Sequence, residues 1–253
     1  DQAKEANLFF FNDEGNIIET KAALSRGIES ISRLRTTNLS DGSRAVVVEG
    51  RIRGGTIFTD VFTMDGGKIR NITVSPKSGV SDDTLRTYES YCTDINGDGI
   101  MEIPSPVQMP VQNGGGEYWL LKWYAYDSGG RRTLMKTTYS NTTDGWMLTV
   151  PDEWESKITV RRAEYVSGES SVIFSFIASD EQVQDFLTIY TLSGENKTER
   201  SKLAGRFVLA SERDRIFAAR ITDSDTASAL GVNQAMIKNN FSIIYSEWNT
   251  GEI

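Results

Sequence analysis

The nine residues Asp94-Ile-Asn96-Gly-Asp98-Gly99-Ile100-Met-Glu102 place oxygen-bearing side chains at loop positions 1, 3, 5 and 9, with a glycine at position 6. Such spacing lets one short stretch of backbone turn several oxygens toward a hard cation. The glycine permits the sharp reversal that brings them together. Asp94, Asn96, Asp98 and Glu102 would contribute side-chain oxygens, and Ile100 its main-chain carbonyl at position 7. The cation such a set suits is calcium, in the role of holding a loop. Position 12 is Ser105, where an EF-hand places a bidentate glutamate, and Pro104 and Pro106 oppose the helix that would follow. An EF-hand is therefore rejected. A turn that binds nothing and is closed by side-chain-to-backbone hydrogen bonds is the competing reading of the same residues. The related stretch Asn38-Leu-Ser40-Asp41-Gly42 keeps the turn and loses most of the donors, so no metal is expected there.

Other chemistries are bounded by what the chain lacks. It has 253 residues and no histidine, which removes Ser-His-Asp and Cys-His nucleophile pairs and imidazole-ligated zinc or iron. The single cysteine, Cys92, allows no internal disulfide and reads as a buried structural residue. Its acidic neighbourhood would raise the thiol pKa and suppress the thiolate. Carboxylates are plentiful, as in Asp82-Asp83, Asp152-Glu153-x-Glu155 and Asp180-Glu181, but in an acidic chain these read as solvated loops. A glycosidase needs two carboxylates held across a cleft, which neighbours in sequence do not establish. Tyr118, Trp119 and Trp123 could form a carbohydrate platform or, equally, alternate into a core.

A net charge of −8 argues against nucleic acid or anionic lipid as a partner. No apolar run approaches the roughly 18 residues of a membrane helix. The chain opens Asp1-Gln-Ala-Lys-Glu5, without the apolar segment of a signal peptide, and so reads as a processed form.

The elements that must position the loop are strands. Ile28-Glu-Ser-Ile31 recurs as Tyr88-Glu-Ser-Tyr91. Each is followed by an Asp-Gly turn (Asp41-Gly42, Asp98-Gly99) and a short apolar strand (Ala45–Val48, Ile100–Ile103). Later come aromatic strands, Val61–Met64 and Trp123–Tyr126, ending in Asp65-Gly66-Gly67 and Asp127-Ser-Gly129-Gly130. A third, partial copy is Leu8–Phe11 followed by Asn12-Asp13-Glu14-Gly15. Strands joined by Asp-Gly and Gly-Gly turns predict antiparallel sheet, and a period of roughly 55–60 residues suggests blade-like units. Two units and a fragment cannot close a propeller, which needs at least about four blades. Gln112–Gly116 reads as a long loop.

After Asp144-Gly145 the pattern changes. Strands are expected at Trp146–Val150, Ile158–Val160, Ser171–Ile177, Phe186–Leu192, Arg206–Ala210 and Ile216–Ile221. Met236, Ile237, Phe241, Ile244, Tyr245 and Trp248 follow three-to-four spacing, predicting a helix that begins near an Asn233 cap, stops near Asn249–Gly251 and covers the sheet. The fold class is thus mostly β with an α+β C-terminal part. Blade-like antiparallel sheets occupy 1–143, and an antiparallel sheet with a C-terminal helix occupies 144–253.

Three resemblances attach to these residues. The 94–102 stretch resembles the calcium loops of FG-GAP/VCBS-like (integrin-type propeller) repeats, which run Asp-x-Asp/Asn-x-Asp-Gly-x-x-Asp/Glu into a strand. Asp144-Gly-Trp146 through Pro151-Asp-Glu-Trp154 resembles the opening of Mog1/PsbP-like domains, which are commonly non-catalytic accessory units. As a whole the chain is similar to uncharacterised secreted proteins and surface lipoproteins of Gram-positive gut bacteria. These imply a non-catalytic extracytoplasmic binding or structural module, stabilised by one calcium ion, with a protein or carbohydrate ligand at the cell surface. A carboxylate-dependent hydrolase acting on polysaccharide is the alternative.

Overall fold

The computed structural model describes residues 4–11, 14–111, 116–178, 182–203 and 205–245. It is mostly β, built from antiparallel sheets with few helices, as the sequence predicts. The expected features at Asn12-Asp13, Gln112–Gly115, Asp180-Glu181 and Trp248–Gly251 lie outside the described residues. Contacts divide the chain into two compact units, one of residues 1–106, 122–136 and 246–253, the other of 107–121 and 137–245.

The first unit opens with the hairpin β1 (Glu5–Phe11) and β2 (Ile17–Ala23), followed by a four-stranded meander in sequence order. Its strands are β3 (Ile28–Asn38), β4 (Arg44–Ile52), β5 (Ile57–Asp65) and β6 (Lys68–Asn71). The β5–β6 reversal is a two-residue loop: Asp65 pairs with Lys68, and Gly66 and Gly67 take φ of 55° and 78°. Two consecutive positive φ values match the strand twist, and glycine reaches them without strain. Gly50 is required for a different reason. A β-carbon there would lie 2.1 Å from the Ser30 carbonyl oxygen, because β3 bulges over β4 at this point.

Both faces of the meander are covered. Val48, Phe58, Phe62 and Ile69 pack with Leu24 and Ile28, and with Ala6 and Ala22 of the hairpin. Ala45, Val47 and Val61, on the opposite face, pack with Leu39, Cys92, Ile103 and Tyr126. This explains why Ala45–Val48 is apolar without alternation: each side chain has a core to enter. Beyond β6 the chain runs through irregular structure, with a single 3-10 turn at Asp82–Thr84. Tyr88–Tyr91 forms no strand, although its sequence counterpart Ile28–Ile31 starts β3.

Three further strands follow, β7 (Ile103–Gln108), β8 (Trp119–Tyr126) and β9 (Arg132–Asn141). They share a sheet with β10 (Trp146–Val150) in the order β9-β8-β7 outward from β10. The second unit contains a further sheet. Its strands are β11 (Ile158–Val166), β12 (Glu169–Ile177), β13 (Val183–Ser193), β14 (Arg206–Ser211) and β15 (Arg215–Ile221), in the order β11-β12-β13-β15-β14. The short helix α1 (Lys197–Ser201) connects β13 to β14. Trp146, Trp154, Phe174, Phe186 and Phe217 fill its core, with Trp154 edge-on to Phe186 at 5.4 Å between ring centroids. Each such buried aromatic side chain contributes on the order of 2–3 kcal/mol by burial alone.

Two helices close this core, α2 (Ser224–Ala229) and α3 (Gln234–Asn240), through Ala227 and Ile237. Asp223 caps α2 by accepting from Asp225 N and Thr226 N, and Asn233 caps α3 by accepting from Met236 N. The predicted helix is corrected in its length. It ends at Asn240, and Phe241–Ile243 form a strand, β16, paired antiparallel with β10 (Leu148↔Phe241, Trp146↔Ile243). Asn239-Asn240 are weak helix formers. The aromatic and β-branched residues that follow are better placed on a pleated surface. There Phe241 lies 5.8 Å from Trp146 and 5.5 Å from Phe217.

Candidate metal-binding loop

Residues 94–102 form a loop closed at its base by an antiparallel bridge. Glu102 N donates to Thr93 O at 2.9 Å and Thr93 N to Glu102 O at 3.2 Å. Its exit is tied to β3: Met101 N donates to Thr37 Oγ1 at 2.9 Å, and Ile100 bridges Asn38. The predicted residues therefore share one anchored loop.

Asp94 organises the loop. Its Oδ1 accepts from Gly97 N (2.6 Å) and Asp98 N (3.1 Å), and its Oδ2 from Gly99 N (2.8 Å). Gly97 and Gly99 hold φ of 83° and 84°, the left-handed conformation that turns these amides inward. Asn96 Oδ1 accepts from Asp98 N at 3.0 Å, and Asp98 Oδ1 from Ile100 N at 2.8 Å. These bonds are the ones a metal-free turn would use, so loop closure alone does not separate the two readings.

Glu102 is set apart from the other donors by burial. It is fully buried, and its Oε2 accepts from Ile95 N at 3.0 Å. Burial raises its pKa from 4.5 to about 7, and the negative charges of Asp98 and Asp94 add to the rise. No basic side chain pairs with these three carboxylates among the described residues. The nearest cation contact to the loop is Lys136 Nζ, which donates to the Ile95 carbonyl at 3.2 Å. What lies between two of the carboxylates is the Asn96 amide. Its Nδ2 donates to Asp98 Oδ2 at 2.9 Å and to Glu102 Oε1 at 3.3 Å. The amide hydrogens thus stand where positive charge is wanted. In this geometry no three acidic, histidine or cysteine side chains gather at metal-ligand spacing among the described residues. A coordination set would need the Asp94, Asp98 and Glu102 carboxylates to draw together and the Asn96 amide to turn its oxygen inward. The donor chemistry, all oxygen and rich in carboxylate, fits calcium.

The related Asp41 turn is engaged differently. Asp41 Oδ2 accepts from Ser128 N at 2.9 Å and Oδ1 from Ser43 N at 3.1 Å. Hydrogen bonds from Ser128, then Ser43, hold its pKa well below the usual carboxylate range.

A second polar cluster, not anticipated from sequence, lies in the same unit. Glu49 and Arg86 form a buried ion pair at 2.7 Å. Glu49 Oε1 also accepts from Thr59 Oγ1 (3.1 Å) and Cys92 N (3.0 Å). Arg86 further donates to Ser90 O, Thr59 Oγ1 and Thr84 O. Cys92 is buried here, as predicted, and burial, then the Glu49 charge, pushes its thiol pKa well up. The acidic neighbour is thus Glu49 of β4 rather than the adjacent loop. Nearby, buried Asp60 accepts from Ser25 N, Ser25 Oγ and Ser81 Oγ at 2.6–2.8 Å. The signal for these residues was present in the sequence as single charges inside apolar strands, in Val46-Val-Val-Glu49 and Phe58-Thr-Asp60-Val-Phe62.

Of the three candidate platform aromatics, Trp123 is fully buried and Tyr118 packs against the core of the second unit, its hydroxyl accepting from Arg162 N. Among the described residues no helix is long and apolar enough to cross a membrane. No protein family, curated protein or solved structure matches this chain.

Proposed function

We propose that the chain is a non-catalytic, extracytoplasmic binding or structural module whose 94–102 loop holds one calcium ion. Asp94, Asn96, Asp98 and Glu102 would supply side-chain oxygens and Ile100 its carbonyl. The observation that carries this reading is the buried Glu102, crowded by Asp98 and Asp94, with only the Asn96 amide between it and Asp98. A divalent cation in place of that amide would relieve the repulsion, and the bridge at Thr93–Glu102 already fixes the loop ends. The ion's role would be to stiffen the loop, as a ligand bound only by the folded form stabilises it. Extracellular calcium is abundant enough to fill even a weak site of this kind. The chain's ligand would be a protein or carbohydrate at the cell surface.

The hydrolase alternative gains less support. Among the described residues, a groove on the β3–β6 meander has no carboxylate in its lining, and a pocket near α1 has Glu195 alone. A glycosidase would need a pair roughly 5–10 Å apart. The reading is tested by calorimetric titration of the metal-free protein with calcium, alongside Glu102→Gln. Saturable one-to-one binding that the variant loses supports it. Absence of binding to the wild type, or equal binding by the variant, overturns it.

A further inference from the structure

A groove of about 540 Å³ lies on the meander of the first unit, at the end of β3 where β4 begins and β5 finishes. Its floor is apolar. Val46 is half-buried, Phe62 and Ile69 are buried, and Met64 is 38% exposed. Strand register explains how they meet: Val46 pairs with Phe62, and Met64 with Ile69, so all four project from one face.

The rim on the same face is polar and exposed. Thr36 pairs with Val46, and Asn38 with Arg44. Among the described residues the side chains of Thr36, Asn38 and Arg44 make no hydrogen bond or ion pair, and all three are exposed. The Arg44 guanidinium is therefore open to an anion from solvent. The acidic loop reaches the groove only through Gly99, which has no side chain. Asp98, its neighbour, directs its oxygens to Ile100 N and the Asn96 amide instead.

We infer that this groove binds a small amphipathic carboxylate. The apolar body would lie over Val46 and Met64, above the buried Phe62, and the carboxylate would meet the Arg44 guanidinium with Asn38 and Thr36 beside it. Arginine presents a planar fork that matches a carboxylate bidentately, and the cavity volume is in the range of small-molecule sites. Charge complementarity selects this occupant: a neutral apolar ligand would leave Arg44 unused, and a cation would face it. The inference rests on the binding-module reading but requires no calcium.

The test is a calorimetric titration of the full chain with sodium octanoate in EDTA at low ionic strength, with octanol as the neutral counterpart. Working in EDTA keeps failure of the groove distinct from failure of the calcium loop. The expected result is saturable one-to-one binding of octanoate that octanol does not reproduce. Arg44→Gln should weaken it roughly tenfold or more, since a charge-assisted hydrogen-bonded pair is lost. Arg44→Lys should weaken it less, keeping the charge and losing the fork. Met64→Asp should abolish it by placing a carboxylate on the floor. Circular dichroism confirms that each variant is folded. No saturable binding to the wild type, equal binding of octanol, or unchanged affinity in Arg44→Gln would each overturn the inference.

Discussion

Glu49 and Glu102 are both fully buried carboxylates of the first unit, yet their surroundings differ in one respect. Glu49 has Arg86 at 2.7 Å, with Thr59 and the Cys92 amide on the same oxygen, Oε1, while Oε2 is buried without a hydrogen-bond partner among the described residues. Glu102 has a backbone amide, a side-chain amide and two further acids. The first cluster carries its own counter-charge, and removing either partner would leave a charge stranded in the core. The second gathers three carboxylates to which no basic side chain is paired among the described residues. The paired cluster fastens the core, and the unpaired one is where the proposed calcium ion would sit.

The largest effect should come from breaking the neutralised cluster. Arg86→Met strands Glu49 and should cost about 3–5 kcal/mol in urea-induced unfolding of the first unit. Replacing Glu49 by Gln in the same chain should recover part of that loss, because the stranded charge is gone. If Arg86→Met costs no more than a surface substitution, the contrast between the clusters fails.

The opposite is expected at Glu102. In calcium-free protein Glu102→Gln should leave stability at pH 8 unchanged or slightly raised, since it removes a carboxylate crowded by Asp94 and Asp98. The same substitution should eliminate calcium-induced stabilisation, which for the wild type at about a hundred times Kd amounts to roughly 2.7 kcal/mol. A destabilised variant that still responds to calcium would invert both expectations.

The pH dependence follows from the raised pKa. Glu102 takes up its proton more readily folded than unfolded, at about 7 against 4.5. Its favourable contribution is therefore complete below about 4.5 and is lost as pH rises through about 7. Calcium affinity should rise across that interval, because the metal needs the carboxylate ionised. Calcium titrations at intervals between pH 5 and 8 would show this rise, and a flat profile would remove Glu102 from the ligand set.

The smallest effect is expected at Asp41, whose oxygens are used by Ser128 and Ser43. Asp41→Asn should leave the calcium response unchanged, measured as the shift in unfolding temperature on adding the ion. Loss of the response would mean that the wrong loop has been assigned.

Much of this framework was legible in the sequence. Strands such as Trp146–Val150 and Phe186–Leu192 announced themselves by apolar runs between turns, and Asn233 by its place before Met236-Ile237. The donor spacing of 94–102 located one anchored loop. What sequence could not weigh was competition. Phe241 and Ile244 satisfy helical spacing, but pairing with β10 and contact with Trp146 claim Phe241–Ile243 for a strand. Tyr88–Tyr91 repeats the pattern of Ile28–Ile31 without becoming a strand, and Tyr91 instead meets the Arg33 guanidinium at 4.3 Å from its ring centroid. The Glu49–Arg86 pair joins residues 37 apart in sequence, a distance that no local pattern spans.

The central claim is most directly tested by thermal unfolding of the purified chain in EDTA, then with excess calcium and, separately, with excess magnesium. The account predicts a calcium-selective rise of roughly 5 °C or more in the transition of the first unit. Glu102→Gln should abolish that rise. No shift with calcium, or an equal shift with magnesium that survives Glu102→Gln, would contradict it and leave 94–102 as a self-closed turn.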